Sequence, residues 1–359
     1  MQFKSAIRFL LLVGFCRLLS QSGIAQQKTI PRCGSGNSGP IAARQDAVDR
    51  SCDSNGKRRY IHRHKGIGFD ILDYESQACF VPDQEYRLLD DLIDKIGNKV
   101  QYDPDSKSPV DQAITISKAV TQTLRDEGFA LYIDTETLSD ALLDRNAAGE
   151  SPRRIFDCDT GSLIFLTVAE NLGAPVAMVE MPLPHSKFHH NFVRWLDGGK
   201  TLIEWDMNLG SRCEAPPDLT GFEGKGMSRE ELVGYAFSLR PNLWRRQDQY
   251  DRALADFHTS MILYAGSDVY NNLAWLIATR EVSNRKLLKD EALIAAQHGV
   301  EIWPTANYKD TLACVFALRG EFASAIKLET DALNDGYDDE YDRHLRLFQA
   351  APPKDCTGQ

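Results

Sequence analysis

Apolar residues recur along this chain with two different periods. Between residues 85 and 172 they fall at helical spacing. In "EYRLLDDLIDKIG", Leu88, Leu89, Leu92, Ile93 and Ile96 make one stripe. In "SPVDQAITISKAVTQTLRDEG", Ile114, Ile116, Val120 and Leu124 make another, with Ser108 suited to cap it and Pro109 to open its first turn. "TETLSDALLDRNAAG" predicts a third helix ending near Gly149, and Asp159 to Leu172 a buried fourth, stopped by Gly173 and Pro175. The period then changes to two. "PVAMVEM", "HNFVRW" and "KTLIEWDMN" predict strands, the last two joined at "LDGGK". Helices followed by an antiparallel sheet is an α+β layout.

Residues 213–228 are rich in Pro and Gly and mark a boundary. Helical pairs recur beyond it. "SREELVGYAFSLRPNLWRRQDQYDRALADFHTSMIL" predicts two helices with a break near Arg246–Gln249. "NNLAWLIATR" with "DEALIAAQHGVEIWP" and then "NYKDTLACVFALRGEFASAIKLETDAL" repeat the design. Gly320, Phe322, Ala325 and Ile326 stand where Asp248, Tyr250, Ala253 and Leu254 stand in the first unit. These units, over roughly residues 229–335, resemble tetratricopeptide repeats. The resemblance implies an all-α superhelix that binds a protein or peptide partner. A capping helix over Tyr341–Gln349 is expected after it.

The N-terminal residues read differently. Lys4 and Arg8 precede a short apolar run, Phe9 to Phe15, and Gly23-Ile24-Ala25 has the small-x-small form of a cleavage site. This predicts a signal peptide over 1–25 and a periplasmic or secreted protein with no membrane span after cleavage. Residues 26–66 are polar and aperiodic and read as a flexible basic linker. The expected divisions are therefore 1–25 signal peptide, 26–66 linker, 67–222 the α+β domain, 223–340 the repeats and 341–359 a tail.

Charge is uneven. The formal total is -10, yet the first 25 residues carry +3 and residues 26–65 carry +6, so the remainder carries -19. An acidic body argues against nucleic acid and, weakly, for a basic partner. The stretch "GKRRYIHRHKG" suits an anionic surface or the protein's own acidic face, but a solvated linker is the simplest reading.

Export also changes how the eight cysteines read. Without Cys16, seven remain, so at least one thiol is unpaired within the chain. Cys33, Cys52 and Cys79 lie in loop-like sequence and are expected to be bridged. Cys314 sits in a helical pattern and is expected to be a buried free thiol. Cys158 stands at the start of the buried helix, where unpaired N–H groups favour a thiolate. It is either half of a disulfide or a nucleophile.

A nucleophile needs a base and an orienting acid. His185, His189 and His190 follow, and Glu204, Asp206 and Asn208 share one face of the last strand. The order cysteine, helix, Leu172-Gly173-Ala174-Pro175, strand beginning His190-Asn191-Phe192-Val193-Arg194-Trp195, then strand ending Asp206-Met207-Asn208 resembles the bacterial transglutaminase-like superfamily, papain-like in fold. The resemblance covers about residues 85–212, its specific part 156–208. It implies Cys158 as nucleophile, His190 as base and Asp206 as orienting acid, forming a thioester with an amide carbonyl that water or an amine resolves. The sequence departs from the family in having Phe192 in place of a tryptophan and "DMN" in place of "DPT". Glu204 stays a rival to Asp206, and an inactive scaffold that binds proteins stays a rival to an enzyme. No cofactor or metal is expected, because the three clustered histidines lack partners at ligand spacing.

Overall fold

The computed structural model describes residues 59–132, 136–148, 152–182, 189–214, 224–280 and 282–358. The expected signal peptide, most of the expected linker, Cys33, Cys52 and His185 lie outside the described residues. The protein is mixed α/β: helices first, then a small antiparallel sheet, then a helical C-terminal region.

Three helices lead: α1 (Ile67–Glu75), α2 (Asp83–Gly97) and α3 (Pro109–Asp126). Ser108 is the N-cap residue of α3, with Pro109 in the first turn. Two short strands, β1 (Phe129–Leu131) and β2 (Arg154–Phe156), pair in parallel. The helix expected to end near Gly149 is much shorter, α4 (Leu138–Leu142). Leu143 turns to extended backbone, and the Arg145 N–H donates to the Arg153 carbonyl 2.9 Å away. Asp144 accepts from Arg153 Nε at 2.9 Å. The chain leaves the helix there to meet the β2 approach. The first turn of α4 is held by the buried Glu75 carboxylate, which accepts from the Leu138 and Ser139 N–H groups at 2.9 and 2.8 Å.

Helix α5 (Cys158–Leu172) runs through the middle of the core. Asp157 caps it by accepting from the Asp159 and Thr160 N–H groups at 3.1 and 3.0 Å, and Thr160 Oγ1 accepts in return from the Asp157 N–H at 3.1 Å. Gly173, at φ 71°, ends it in the left-handed conformation that glycine adopts without steric cost.

The sheet is a meander of β3 (Val176–Pro182), β4 (His189–Asp197), β5 (Lys200–Asp206) and β6 (Ser211–Cys213). Gly198 and Gly199 both have positive φ, which closes the β4–β5 hairpin at the expected turn. One sheet face carries Met178, Val193, Trp195, Ile203 and Trp205 into the main apolar cluster. Trp195 and Trp205 donate to Ser117 and Thr121 of α3 at 3.0 and 3.1 Å, which pins the sheet to that helix. The other face buries Val179, Met181, Phe192 and Cys213 together.

The C-terminal region comprises α6 (Arg229–Leu239), α7 (Pro241–Arg245), α8 (Tyr250–Leu263), α9 (Ser267–Thr279), α10 (Lys289–Ile302), α11 (Ala306–Leu318), α12 (Phe322–Asp335) and α13 (Asp339–Phe348). Asp248 and Gly320, matched in the repeat pattern, both take left-handed backbone just before a helix, at φ 56° and 80°. Their partners Ala253 and Ala325 are both fully buried. The apolar cluster continues from α1 to Phe348 without a break. Arg240 joins the two regions, pairing with Asp256 and donating to Gln77 Oε1 at 2.8 Å.

Two expectations are corrected. Residues 59–65 are not a solvated linker. Tyr60 Oη and the Arg63 and His64 N–H groups donate to the Asp90 carboxylate at 2.6, 2.8 and 3.0 Å, so the basic stretch docks on the acidic face of α2. Cys314 is not a free thiol either, because it is disulfide-bonded to Cys356. The C-terminal tail folds back past α13 and brings Cys356 alongside α11. Among the described residues, no helix is long and apolar enough to cross a membrane.

Candidate active site

Four of the five described cysteines, Cys79, Cys213, Cys314 and Cys356, are disulfide-bonded, and Cys158 is the free one. It is the first residue of α5, half-buried. Gly161 one turn later lets that helix end approach the sheet. A Cβ there would stand 2.7 Å from the Phe156 ring and 3.3 Å from Met207 Cβ, so any larger residue pushes the helix away from the end of β5.

The end of β5 is where the acid sits. Asp206 is wholly buried. Its Oδ1 accepts from the Asn208 and Leu209 N–H groups at 2.8 and 3.1 Å, and its Oδ2 lies 2.9 Å from His190 Nε2. Those two backbone donors fix the carboxylate, and the carboxylate fixes the imidazole. With Nε2 engaged, Nδ1 is the nitrogen left for a substrate or a thiol. Glu204 pairs across the sheet with Arg194, accepting from Nε at 2.9 Å and Nη2 at 2.7 Å.

The thiol itself points elsewhere. Cys158 Sγ donates to Asp159 Oδ1 at 3.2 Å. Among the described residues no hydrogen bond joins it to His190, whose Nε2 is paired with Asp206. The sulfur is nonetheless close to the strand, because the Asn191 backbone N–H bears on its ionisation. His190 and Asn191 are adjacent and project from opposite sides of β4. The expected site residues therefore divide: His190 and Asp206 are joined, and Cys158, at the start of α5, faces the Asn191 backbone and is held by Asp159.

This setting changes the expected thiol chemistry. Burial pushes the Cys158 thiol well above its ordinary value, and the Asp159 and Asp157 carboxylates add to the push. The Asn191 N–H acts the other way. The helix N-terminus that favours a thiolate is thus outweighed by its own flanking acids. The arrangement disfavours the thiolate.

Sequence reasoning missed the residues that surround the thiol. Asn191 Nδ2 donates to Asp159 Oδ1 at 2.6 Å and to Tyr235 Oη of α6 at 3.1 Å. Among the described residues, Asn191 Oδ1 is buried without a partner. Tyr235 packs edge-on against Tyr264, which donates to Glu180. Glu180 in turn holds His189 Nδ1 at 2.7 Å, and His189 Nε2 lies 2.9 Å from Ser267 Oγ and 3.2 Å from Tyr308 Oη. His189 is therefore a buried strut between the sheet and the C-terminal helices. Alternation along β4 separates His189 and Asn191 from His190, a signal readable in sequence. The tyrosines carry no such signal, since Tyr235 lies 77 residues beyond Cys158.

No family model matches this chain, and no curated protein matches it either.

Proposed function

We propose that this protein is an exported cysteine hydrolase or acyltransferase of transglutaminase-like, papain-like type, acting on an amide bond, with tetratricopeptide-like repeats that recruit a protein or peptide. The observation that carries the reading is the free Cys158 at a helix N-terminus, in a chain whose other described cysteines are bridged, together with a buried His190–Asp206 pair on strand β4 whose Nδ1 is unengaged among the described residues. The bridged cysteines also favour an oxidising compartment.

Catalysis begins when the thiol leaves Asp159 and gives its proton to His190 Nδ1. Asp206 on Nε2 keeps the ring oriented and stabilises the imidazolium. The sulfur attacks the amide carbonyl carbon, and the Cys158 N–H, unpaired at the helix start, meets the developing oxyanion. The C–N bond breaks, the amine takes the proton from His190, and a thioester remains. Water then yields an acid, or a second amine yields a new amide, with His190 accepting the proton of the attacking group.

A second reading is a catalytically inactive scaffold that binds proteins in the cell envelope. It is favoured by one observation, the Cys158 thiol donating to Asp159 Oδ1. A screen of peptide and side-chain amides, with and without an amine acceptor, separates the two. Turnover by the wild type that is lost in Cys158→Ala supports the enzyme. Equal turnover in both proteins, or none in either while a peptide is bound, overturns it.

A further inference from the structure

A second buried polar cluster lies in the C-terminal helices, away from Cys158. Asp310 of α11, Glu329 of α12 and His344 of α13 come from three successive helices and are 2%, 0% and 0% exposed. His344 Nδ1 and Asp310 Oδ1 are 2.6 Å apart. One donor atom from each of the three residues lies within 4.8 Å of the others. Among the described residues, both oxygens of Glu329 are buried with no hydrogen-bond partner. A carboxylate taken out of water without a donor is strongly unfavourable unless a counter-charge arrives.

We propose that Asp310, Glu329 and His344 bind one divalent cation of the zinc type. Two carboxylates and one imidazole are a nitrogen–oxygen donor set that suits zinc and its neighbours better than magnesium or calcium, which prefer oxygen alone. The cation neutralises Glu329 and ties α11, α12 and α13 together at the end of the helical region. Cys314 Sγ, 3.7 Å from His344 Nδ1, is not a ligand because it is held in the disulfide to Cys356.

Proton balance is local. When the metal takes Nδ1, the one proton of the neutral ring moves from Nδ1 to Nε2 by way of solvent. Arg343 Nη2, now 2.8 Å from Nε2, is about half exposed and turns into water. Glu340 Oε1, 4.0 Å from Nε2, then accepts the new N–H, the outer carboxylate that a metal-bound histidine ordinarily has.

The rival occupant is a proton shared by Glu329 and Asp310. Burial and the Asp310 charge both raise the Glu329 carboxyl, so the rival neutralises the same charge. The test uses the full chain in a Cys158→Ala background, which removes the free thiol as a zinc ligand. After chelator treatment and dialysis against zinc chloride, metal content and thermal melting are measured. The expected result is one retained zinc per chain and a melting rise of several degrees. Glu329→Gln, which keeps the shape and removes the charge, and His344→Gln each weaken zinc binding at least tenfold. Two results overturn the proposal: no retained zinc with unmoved melting, or equal retention in both variants. The proposal does not rest on the chemistry of Cys158.

Discussion

Among the described residues, two buried histidine–aspartate pairs each have a cysteine in their neighbourhood. His190 meets Asp206 at 2.9 Å, and His344 meets Asp310 at 2.6 Å. Residue types alone do not tell them apart. Their surroundings do. Cys314, beside His344, is in a disulfide and cannot form a thiolate. Both ring nitrogens of His344 are engaged, Nδ1 by Asp310 and Nε2 by Arg343. At the other pair the acid takes Nε2 and the nearby cysteine is free. A Cys–His–Asp set becomes a candidate catalytic site through covalent state and the ring nitrogen left over. The same set becomes a candidate metal clasp when a second carboxylate, Glu329, is added and the sulfur is removed.

The largest effects come from exchanging the two cysteines' roles. Cys158→Ala lowers amide turnover by roughly a thousandfold or more, since the covalent route is gone. Removing both Cys314 and Cys356 leaves kcat intact and lowers stability by about 4 kcal/mol, the entropy of opening a loop of this length. Denaturant titration beside kinetics checks both. Asp206→Asn comes next, with a loss of about a hundredfold to ten-thousandfold in kcat from an unsupported imidazole. Glu204→Gln, at the carboxylate paired with Arg194, stays within a few-fold. Equal losses in the two variants would remove the distinction drawn between the carboxylates.

Smaller effects report on the thiol's position and charge. Gly161→Ala costs about 1–3 kcal/mol through overpacking against Phe156 and Met207, measurable as a shift in denaturant midpoint. Cys158 has a raised pKa, so its alkylation by iodoacetamide is slow at neutral pH and climbs as pH rises past the ordinary thiol range. Asp159→Asn removes the nearer of the two charges and moves that rise to lower pH. One pKa unit would make labelling about tenfold faster at pH 7.5. An unchanged pH profile would mean that Asp159 does not hold the thiol neutral.

Much of the scaffold could be read from periodicity. The stripes of α2 and α3, the glycine stop of α5, and the three longer strands follow from local pattern. So does the equivalence of Asp248 with Gly320, visible as shared left-handed backbone. The losses have physical causes. α4 is cut short by contacts to Arg153 that no local window contains. β1, β2 and β6 are three residues each, too short for a period to register. Cys314 looked apolar because it lies on a buried helical face, and only the return of the tail supplies its partner. In the site, the His190–Asp206 pairing follows from strand spacing. The effect of Asp157 and Asp159 on the thiol does not, because it depends on how deeply the helix start is buried.

The central claim is that His190 serves Cys158. It is tested most directly by the rate at which a p-nitrophenyl ester acylates Cys158, followed as p-nitrophenolate release and as a thioester adduct by intact mass. Wild type and His190→Ala are compared between pH 6 and 8. The account predicts one equivalent of thioester on Cys158 and a slowing of at least a hundredfold in His190→Ala. Acylation at the same rate in both proteins would contradict it.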